Sequence, residues 1–234
     1  MSGTSGRPPV LAMEAARDLG MTEDGIVLDL RLEAGELALV LAPEPSRAAR
    51  CADLASGLDL AAEGQVTFLG YDWSRQPDDI ADALRGRIGR VFHNGGWIPY
   101  LSLAENILLP LLHHTRTPEP ELRDRAAALA HAFGLPGLPL ERPTSAPVAD
   151  LARAACVRAF LGEPMLVLLE DPLQQGRVPD LAAPLRDAVA AARARGAACL
   201  WMTSNAMFWG DSSPPSSQRL VLSDRGFRRG RARP

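Results

Sequence analysis

Residues 39–50, LVLAPEPSRAAR, join an apolar run to an alanine-rich segment through a short turn. The apolar run begins at Leu37 and predicts a strand that is buried on both faces, as in a parallel sheet. Turn-forming residues follow it, and residues 48–58 then predict a helix. A strand, a loop and a helix in this order form the frame of a phosphate-binding loop, although the glycines and the lysine of such a loop are absent.

The rest of the chain continues this alternation of strand and helix patterns. We predict strands at residues 25–32, 65–69, 88–92, 165–169 and 197–203, and helices at residues 102–114, 118–133, 148–161 and 178–195. Ser102 and Glu105 have the spacing of a capping box at the start of the first of these helices. The pattern predicts a single α/β domain over residues 1–234 with a parallel core sheet, an inserted helical subdomain at about residues 100–161 and a flexible basic tail at residues 223–234.

Composition narrows the classes of function. The chain has 234 residues, of which 47% are hydrophobic and 23% charged, as is usual for a soluble globular domain. It contains no apolar run of the roughly 18 to 20 residues that a membrane-spanning helix needs, and its first residues do not resemble a secretory signal. A net charge of -3 gives no reason to expect nucleic acid as a partner. The odd count of 3 cysteines argues against a disulfide framework.

The basic residues are unusual, because all 25 of them are arginine. No lysine side chain is therefore available to reach the β- or γ-phosphate of a nucleotide. We expect any phosphate chemistry in this chain to depend on arginine or on backbone amides.

Four segments together resemble the ATPase subunit of ABC transporters, over about residues 11–222. They are GELALVLAPEPSRAARCADLASGL from Gly35, IGRVFHNGGWIPYLSLAENILLPLL from Ile88, RAFLGEPMLVLLEDP from Arg158 and CLWMTSN from Cys199. The resemblance implies a P-loop NTPase-like core sheet with an inserted helical subdomain, and ATP hydrolysis coupled to a membrane permease. Residues 92–114 also resemble the MCE-type ATPases that serve lipid transport.

The resemblance places alanines at two positions that the family uses for phosphate and metal. Ala48 lies where the family has its lysine, and Ala49 where it has the hydroxyl that binds Mg²⁺. Ala42, Pro45 and Arg47 replace glycines. We interpret Ser46, Arg47, Ala48, Ala49 and Arg50 as a vestigial nucleotide loop, since Pro45 has no N–H to offer a phosphate and the neighbouring Glu44 adds a negative charge.

The other motif positions are altered as well. His93 replaces the glutamine of the Q-loop, and residues 146–150 (APVAD) replace the family's signature sequence. Glu170 takes the metal-side position of the Walker B pair and Asp171 that of the general base. Ser204 takes the position of the switch histidine, and the aspartate of the D-loop falls at Arg177.

Each of these positions has two interpretations. Glu170 and Asp171 either bind Mg²⁺ and act as a base, or remain as acids that accept hydrogen bonds from nearby backbone. Arg47 and Arg50 either replace the lysine as phosphate partners or form salt bridges within the protein. The arginine-rich tail either contacts anionic lipid headgroups or is a solvated segment.

The loop after His93 carries apolar and aromatic residues that commonly anchor an interface, although packing in the core is the alternative. We expect Trp97, Ile98, Tyr100 and Leu101 to form a partner interface. In the resembled family this region receives the coupling helix of the permease.

These observations favour a pseudo-ATPase that acts as a structural or regulatory subunit. Its expected place is the cytoplasmic face of the inner membrane, on a permease, paired with an active ATPase subunit or with itself as a dimer. No metal and no cofactor are assigned. A slow ATPase that binds ATP and Mg²⁺ through arginine, and a soluble scaffold without a transporter, are the alternatives; co-purification with a membrane protein distinguishes the last of these.

Overall fold

The computed structural model describes residues 7–22, 24–173 and 178–230. Ten strands in the described ranges are β1 Leu11–Asp18, β2 Ile26–Leu32, β3 Leu37–Leu41, β4 Glu63–Phe68, β5 Tyr71–Asp72, β6 Ile88–Val91, β7 Leu166–Glu170, β8 Ala198–Thr203, β9 Gln218–Ser223 and β10 Gly226–Arg229. The α-helices there are α1 Pro45–Ala55, α2 Asp78–Arg85, α3 Leu103–His114, α4 Glu119–Ala132, α5 Val148–Phe160, α6 Ala182–Ala194 and α7 Ala206–Gly210.

The strands form two sheets. The larger has the order β10-β9-β3-β8-β7-β6 and is parallel except for the antiparallel pair of β9 and β10. The smaller has the order β2-β1-β4-β5 and is antiparallel. The helices α3, α4 and α5 lie in sequence between β6 and β7, where the helical insertion was predicted. Two parallel strands therefore end beside the first helix, β3 directly before it and β7 opposite it.

The core has two parts, one on each side of the larger sheet. One cluster joins α1 to the smaller sheet and includes Leu54 and Phe68. The other joins α3, α4, α5 and α6 to the sheet and includes Leu185 and Trp201. The parallel strands supply apolar residues to both clusters, because side chains alternate between the two faces of a strand.

Strand β6 approaches α5 unusually closely. A Cβ atom on Gly89 would lie 1.9 Å from the carbonyl oxygen of Ala159, a distance at which backbone must move. Glycine therefore allows this strand to lie against the helix, and its neighbour Arg90 is directed into the space beside α1.

Several elements differ from those predicted. Helix α1 begins at Pro45 and not at residue 48, since proline suits the first position of a helix and leaves no loop where a phosphate would be held. Strands β1 and β9 and helix α2 were not predicted.

The prediction of a flexible tail at residues 223–234 is wrong for Gly226–Arg229, because these residues pair with β9 and Phe227 packs against the core. Residues 231–234 lie outside the described part of the chain.

Candidate functional site

The turn between β3 and α1 uses its own backbone groups. The N–H groups of Arg47 and Ala48 both donate to the carbonyl oxygen of Glu44, at 3.1 and 3.3 Å. Pro45, the first residue of the helix, has no N–H group. Two of the amides that a phosphate-binding loop would direct at a phosphate are therefore bonded within the first turn of the helix. Ala48 is buried, with 4% of its surface exposed, and packs into the core.

Arg47 is held by two carboxylates. Its Nε lies 2.9 Å from Oε2 of Glu44, and its Nη1 lies 2.5 Å from Oδ1 of Asp224 in the turn between β9 and β10. Only 16% of the Arg47 side chain is exposed. The guanidinium thus connects the vestigial loop to the last hairpin of the fold.

Arg50, one turn further along α1, is also paired with two carboxylates. Its Nε lies 2.9 Å from Oδ1 of Asp18, a carboxylate with 1% of its side chain exposed, and its Nη2 lies 3.1 Å from Oδ2 of Asp59. The hydrogen bond with Asp18 raises the pKa of the Arg50 guanidinium above its ordinary value. Both arginines of the vestigial loop are therefore placed in ion pairs within the chain.

A buried arginine lies where the Walker B acid ends its strand. Nε of Arg90 donates to Oε1 of Glu170 at 2.5 Å, and its Nη1 donates to Oδ1 of Asp53 at 2.7 Å. The exposed fractions of the Arg90 and Glu170 side chains are 7% and 2%. The guanidinium also donates to the carbonyl oxygen of Ala49 at 3.3 Å and lies 4.3 Å from the ring centroid of Phe92. Charge-assisted hydrogen bonds of this kind are the strong ones in proteins.

Both oxygens of Glu170 are engaged. Oε1 accepts from Arg90, and Oε2 accepts from the backbone N–H of His93 at 3.2 Å. The residues therefore do not fit a magnesium ion, because a guanidinium already provides the positive charge and neighbouring Ala49 has no hydroxyl to add as a ligand. Ala48, at the position of the family's lysine, has no side chain that could contact a phosphate group.

Asp171 and Ser204, which take the positions of the general base and the switch residue, are brought together. Oδ2 of Asp171 accepts from Oγ of Ser204 at 2.5 Å, and Oδ1 accepts from Oγ1 of Thr203 at 3.2 Å. Asp171 is 7% exposed and has a φ of 47°, a left-handed conformation that aspartate and asparagine tolerate better than most residues. Its two hydrogen bonds fix the carboxylate against the end of β8.

A cleft of about 390 Å³ lies between the start of α1 and the loop after β6. Asp53 and Glu170 line it together with Arg90 and His93. The arginine's positive charge is shared between the two carboxylates, so the cleft has no surplus of positive charge from this group. A phosphate anion would meet the two acids in place of a lysine.

The predicted interface residues differ in exposure. Trp97 is half-buried, packs against the helical cluster and lies 4.4 Å from the guanidinium of Arg158. Ile98 and Leu101 are also half-buried, whereas Tyr100 is 71% exposed. The side chain of Asn106 fixes this loop, since its Oδ1 accepts from the N–H of Ile98 at 2.8 Å. Tyr100 is thus the most exposed of the four.

The remaining motif positions are separate from the cleft. Val148 and Asp150 form the first turn of α5, where Asp150 pairs with Arg153 at 3.2 Å. Arg177 lies outside the described residues. Among helices of the described ranges, none is both long and apolar enough to cross a membrane.

Sequence reasoning missed Arg90, Asp53 and Asp224. One feature could have identified the first: Arg90 interrupts a short apolar strand of a sheet whose parallel strands are buried on both faces, where a charge needs a partner. Its partner Glu170 is 80 residues away in the chain, and local patterns do not connect the two.

The chain is similar to ATP-binding proteins of bacterial lipoprotein-releasing and phospholipid transport systems. Over 170 residues it is 32% identical to the lipoprotein-releasing system ATP-binding protein LolD of Pseudomonas fluorescens, an alignment that covers 69% of this chain and 74% of that protein. It is 26% identical over 145 residues to the intermembrane phospholipid transport system ATP-binding protein MlaF of Haemophilus influenzae, covering 62% of this chain and 55% of that protein. No family model matches the chain.

A solved structure has the same fold. The chain superposes on the dimeric structure of MJ0796, a bacterial ABC transporter cassette, with a TM-score of 0.81 at 21% sequence identity, covering 96% of this chain and 99% of the other. This likeness confirms the predicted fold class, a parallel α/β core sheet with an inserted helical subdomain.

Proposed function

The chain belongs to the family of ATP-binding subunits of ABC transporters, and we propose that it is a member that no longer hydrolyses ATP. It acts as a structural or regulatory subunit on the cytoplasmic face of a membrane permease. On the permease it pairs with an active ATPase subunit or with another copy of this chain.

The ion pair between Arg90 and Glu170 is the observation that carries this proposal. Phosphoryl transfer in P-loop proteins depends on positioning and on cations that stabilise the charge of the transferred group. Here the acid that would hold the metal is bonded to an arginine of its own chain at 2.5 Å. No residue at the Ala48 or Ala49 position offers a positive charge or a hydroxyl. The site therefore lacks the lysine and the hydroxyl ligand of the metal, and its remaining metal-side acid is paired with Arg90.

The general-base position supports the same conclusion. Both oxygens of Asp171 accept hydrogen bonds from hydroxyl groups, on Ser204 and Thr203. These hydroxyl groups occupy acceptor positions that a general base would use to bind a water molecule. Glu170 and Asp171 thus both accept hydrogen bonds from their own chain, which supports a structural role for the two acids.

Exposed apolar groups favour a membrane-protein partner. Tyr100 is 71% exposed, and Leu109 and Leu112 on α3 are 40% and 41% exposed. Leu109 and Leu112 are three residues apart and share one face of α3, and exposed apolar side chains grouped in this way are typical of an interaction surface. The similarity to LolD and MlaF, whose names refer to lipoprotein release and phospholipid transport, favours a lipid or lipid-linked cargo.

Measurement of phosphate release tests the absence of hydrolysis. We expect the purified protein with saturating ATP and Mg²⁺ to release phosphate no faster than the Asp171→Asn variant purified in parallel. Asparagine keeps an acceptor for the hydroxyl groups and tolerates the left-handed backbone, so the variant should fold. A rate that saturates with ATP in the unsubstituted protein and disappears in Asp171→Asn would contradict the proposal and favour a slow ATPase.

A further inference from the structure

Arg90 also lines a second cavity, separate from the cleft beside α1, and we propose that this cavity binds a small monocarboxylate that carries a compact apolar group. This inference does not rest on the proposed function, because it involves no nucleotide. The cavity shares Arg90 and Phe92 with the cleft beside α1, but neither Asp53 nor Glu170 is among the described residues that line it. It assigns a ligand site to the junction of β6, α2, α3 and α5.

The cavity is lined by arginine and by apolar side chains. Three arginines line it, Arg85, Arg90 and Arg158, and no acidic residue is among the described residues that line it. Its apolar wall is made by Leu58, Ile88, Phe92 and Pro110. The lining therefore offers a positive charge beside a surface that favours an apolar group.

Arg158 supplies a positive charge that no carboxylate of the described residues neutralises. Its Nη1 donates to the carbonyl oxygen of Gly96 at 3.0 Å and its Nη2 donates to that of Gly95. Its guanidinium lies 4.4 and 5.5 Å from the ring centroids of Trp97 and Phe92. Within the described part of the chain, no carboxylate lies within ion-pair distance of it. Burial lowers the pKa of Arg158 to about 10, so the group still carries its charge at neutral pH.

Arg85 has an N–H group that forms no hydrogen bond with the described residues. Its Nη1 pairs with Asp82 at 2.7 Å and its Nη2 donates to the carbonyl oxygen of Gly57 at 2.7 Å. Its Nε is buried and has no hydrogen-bond partner among the described residues. A buried N–H group without a partner costs free energy, and an anion in the cavity could supply the acceptor.

The two cavities differ in their acidic residues. Asp53 and Glu170, the carboxylate partners of Arg90, line the cleft beside α1, whereas neither is among the described residues lining the second cavity. The second cavity is therefore the more favourable of the two for an anion.

The pairing of the arginines indicates a monoanion. Asp82 balances Arg85, and Asp53 and Glu170 balance Arg90. Among the described residues that line the cavity, Arg158 is left as the guanidinium without a counter-charge. The cavity measures about 200 Å³, and an apolar cavity of about 150 Å³ is large enough for benzene. Inorganic phosphate fits less well, because a strongly hydrated ion would lose water to the apolar wall. A ligand with a single ring or a branched alkyl group and one carboxylate suits both the arginines and the apolar wall of the cavity.

Binding of benzoate tests the site. We expect benzoate to raise the melting temperature saturably and to give a single-site isotherm in calorimetry, since a ligand of the folded state stabilises it. Benzyl alcohol keeps the ring without the charge, and acetate keeps the charge without the ring. Each of these two compounds should bind at least about tenfold more weakly than benzoate. Equal binding of benzyl alcohol or of acetate, or no binding of benzoate, would overturn the proposal.

Two sets of variants locate the binding. Arg85→Gln should weaken benzoate about tenfold, through loss of a charge-assisted hydrogen bond. Leu58 is 58% exposed at the edge of the cavity, so substitution there should not impair folding. Leu58→Glu should repel benzoate, whereas the matched Leu58→Gln should retain most of the affinity. If benzoate binds both Leu58 variants equally, it binds elsewhere and the proposal is wrong.

Discussion

We expect the Arg90→Met variant to lose about 3 to 5 kcal/mol of unfolding free energy, the usual effect of removing one partner from a buried ion pair. Glu170, with 2% of its side chain exposed, would then hold a charge whose described hydrogen-bond partner is the N–H of His93 at 3.2 Å. For a chain of this length the loss corresponds to a fall of roughly 10 °C in melting temperature. Thermal and urea unfolding measure both quantities.

A compensating variant separates charge from packing. In Arg90→Met with Glu170→Gln the buried charge is removed, and the glutamine oxygen can still accept from His93. We expect this double variant to regain at least half of the lost free energy, because replacing both members of a buried pair costs far less than replacing one. Equal instability of the single and double variants would show that Arg90 stabilises the fold by packing and not by neutralising Glu170.

The second large effect is expected at Arg50. Its replacement by methionine leaves Asp18 buried, with 1% of the side chain exposed and with the N–H of Gly20 at 2.6 Å as its remaining described partner. We expect a loss of about 2 to 3 kcal/mol, less than at Arg90, because 35% of the Arg50 side chain is exposed and water can reach the site. Urea unfolding at neutral pH measures the change.

Arg31 provides a matched control. It forms an ion pair with Glu33 at 2.8 Å, but the two side chains are 58% and 46% exposed. Arg31→Met should change the unfolding free energy by less than about 1 kcal/mol, as is usual for surface pairs. If Arg50→Met is as mild as Arg31→Met, Arg50 is not needed for stability and a phosphate-binding role for it regains support.

The fold could be predicted where hydrophobic patterns are long and continuous. The apolar runs of β3, β7 and β8 and the capping box before α3 were recognised, and the structure has the Ser102 and Glu105 hydrogen bonds of that capping box. Strand β1 was missed because Ala15 has a φ of 46° and the pairing register shifts there. Such a bulge interrupts the alternation on which strand prediction depends.

The chemistry of the site could be predicted only in part. The absence of lysine, and the alanines at positions 48 and 49, are visible in the sequence and already exclude the usual phosphate contacts. The ion pairs that replace those contacts join distant residues, 80 apart for Arg90 with Glu170 and 177 apart for Arg47 with Asp224. Sequence patterns report local structure, whereas these pairs depend on how the strands are ordered in the sheet.

The start of α1 shows that prediction of the site chemistry depends on prediction of the local fold. The alanines from Ala48 onward suggested the start of the helix, but Pro45 begins it and bonds to Glu44 complete its first turn. The phosphate loop was expected to be altered in its side chains. The structure shows that the backbone amides of Arg47 and Ala48 are also bonded within the helix, to the carbonyl oxygen of Glu44.

Titration of ATP with Mg²⁺ into the purified protein, followed by calorimetry, tests the central claim most directly. The account predicts no saturable heat up to millimolar ATP, because Arg47, Arg50 and Arg90 are each paired with carboxylates of the same chain. A single-site isotherm that requires Mg²⁺ and is lost in the Arg47→Ala, Arg50→Ala variant would contradict it, and would mean that arginine has taken over the role of the missing lysine.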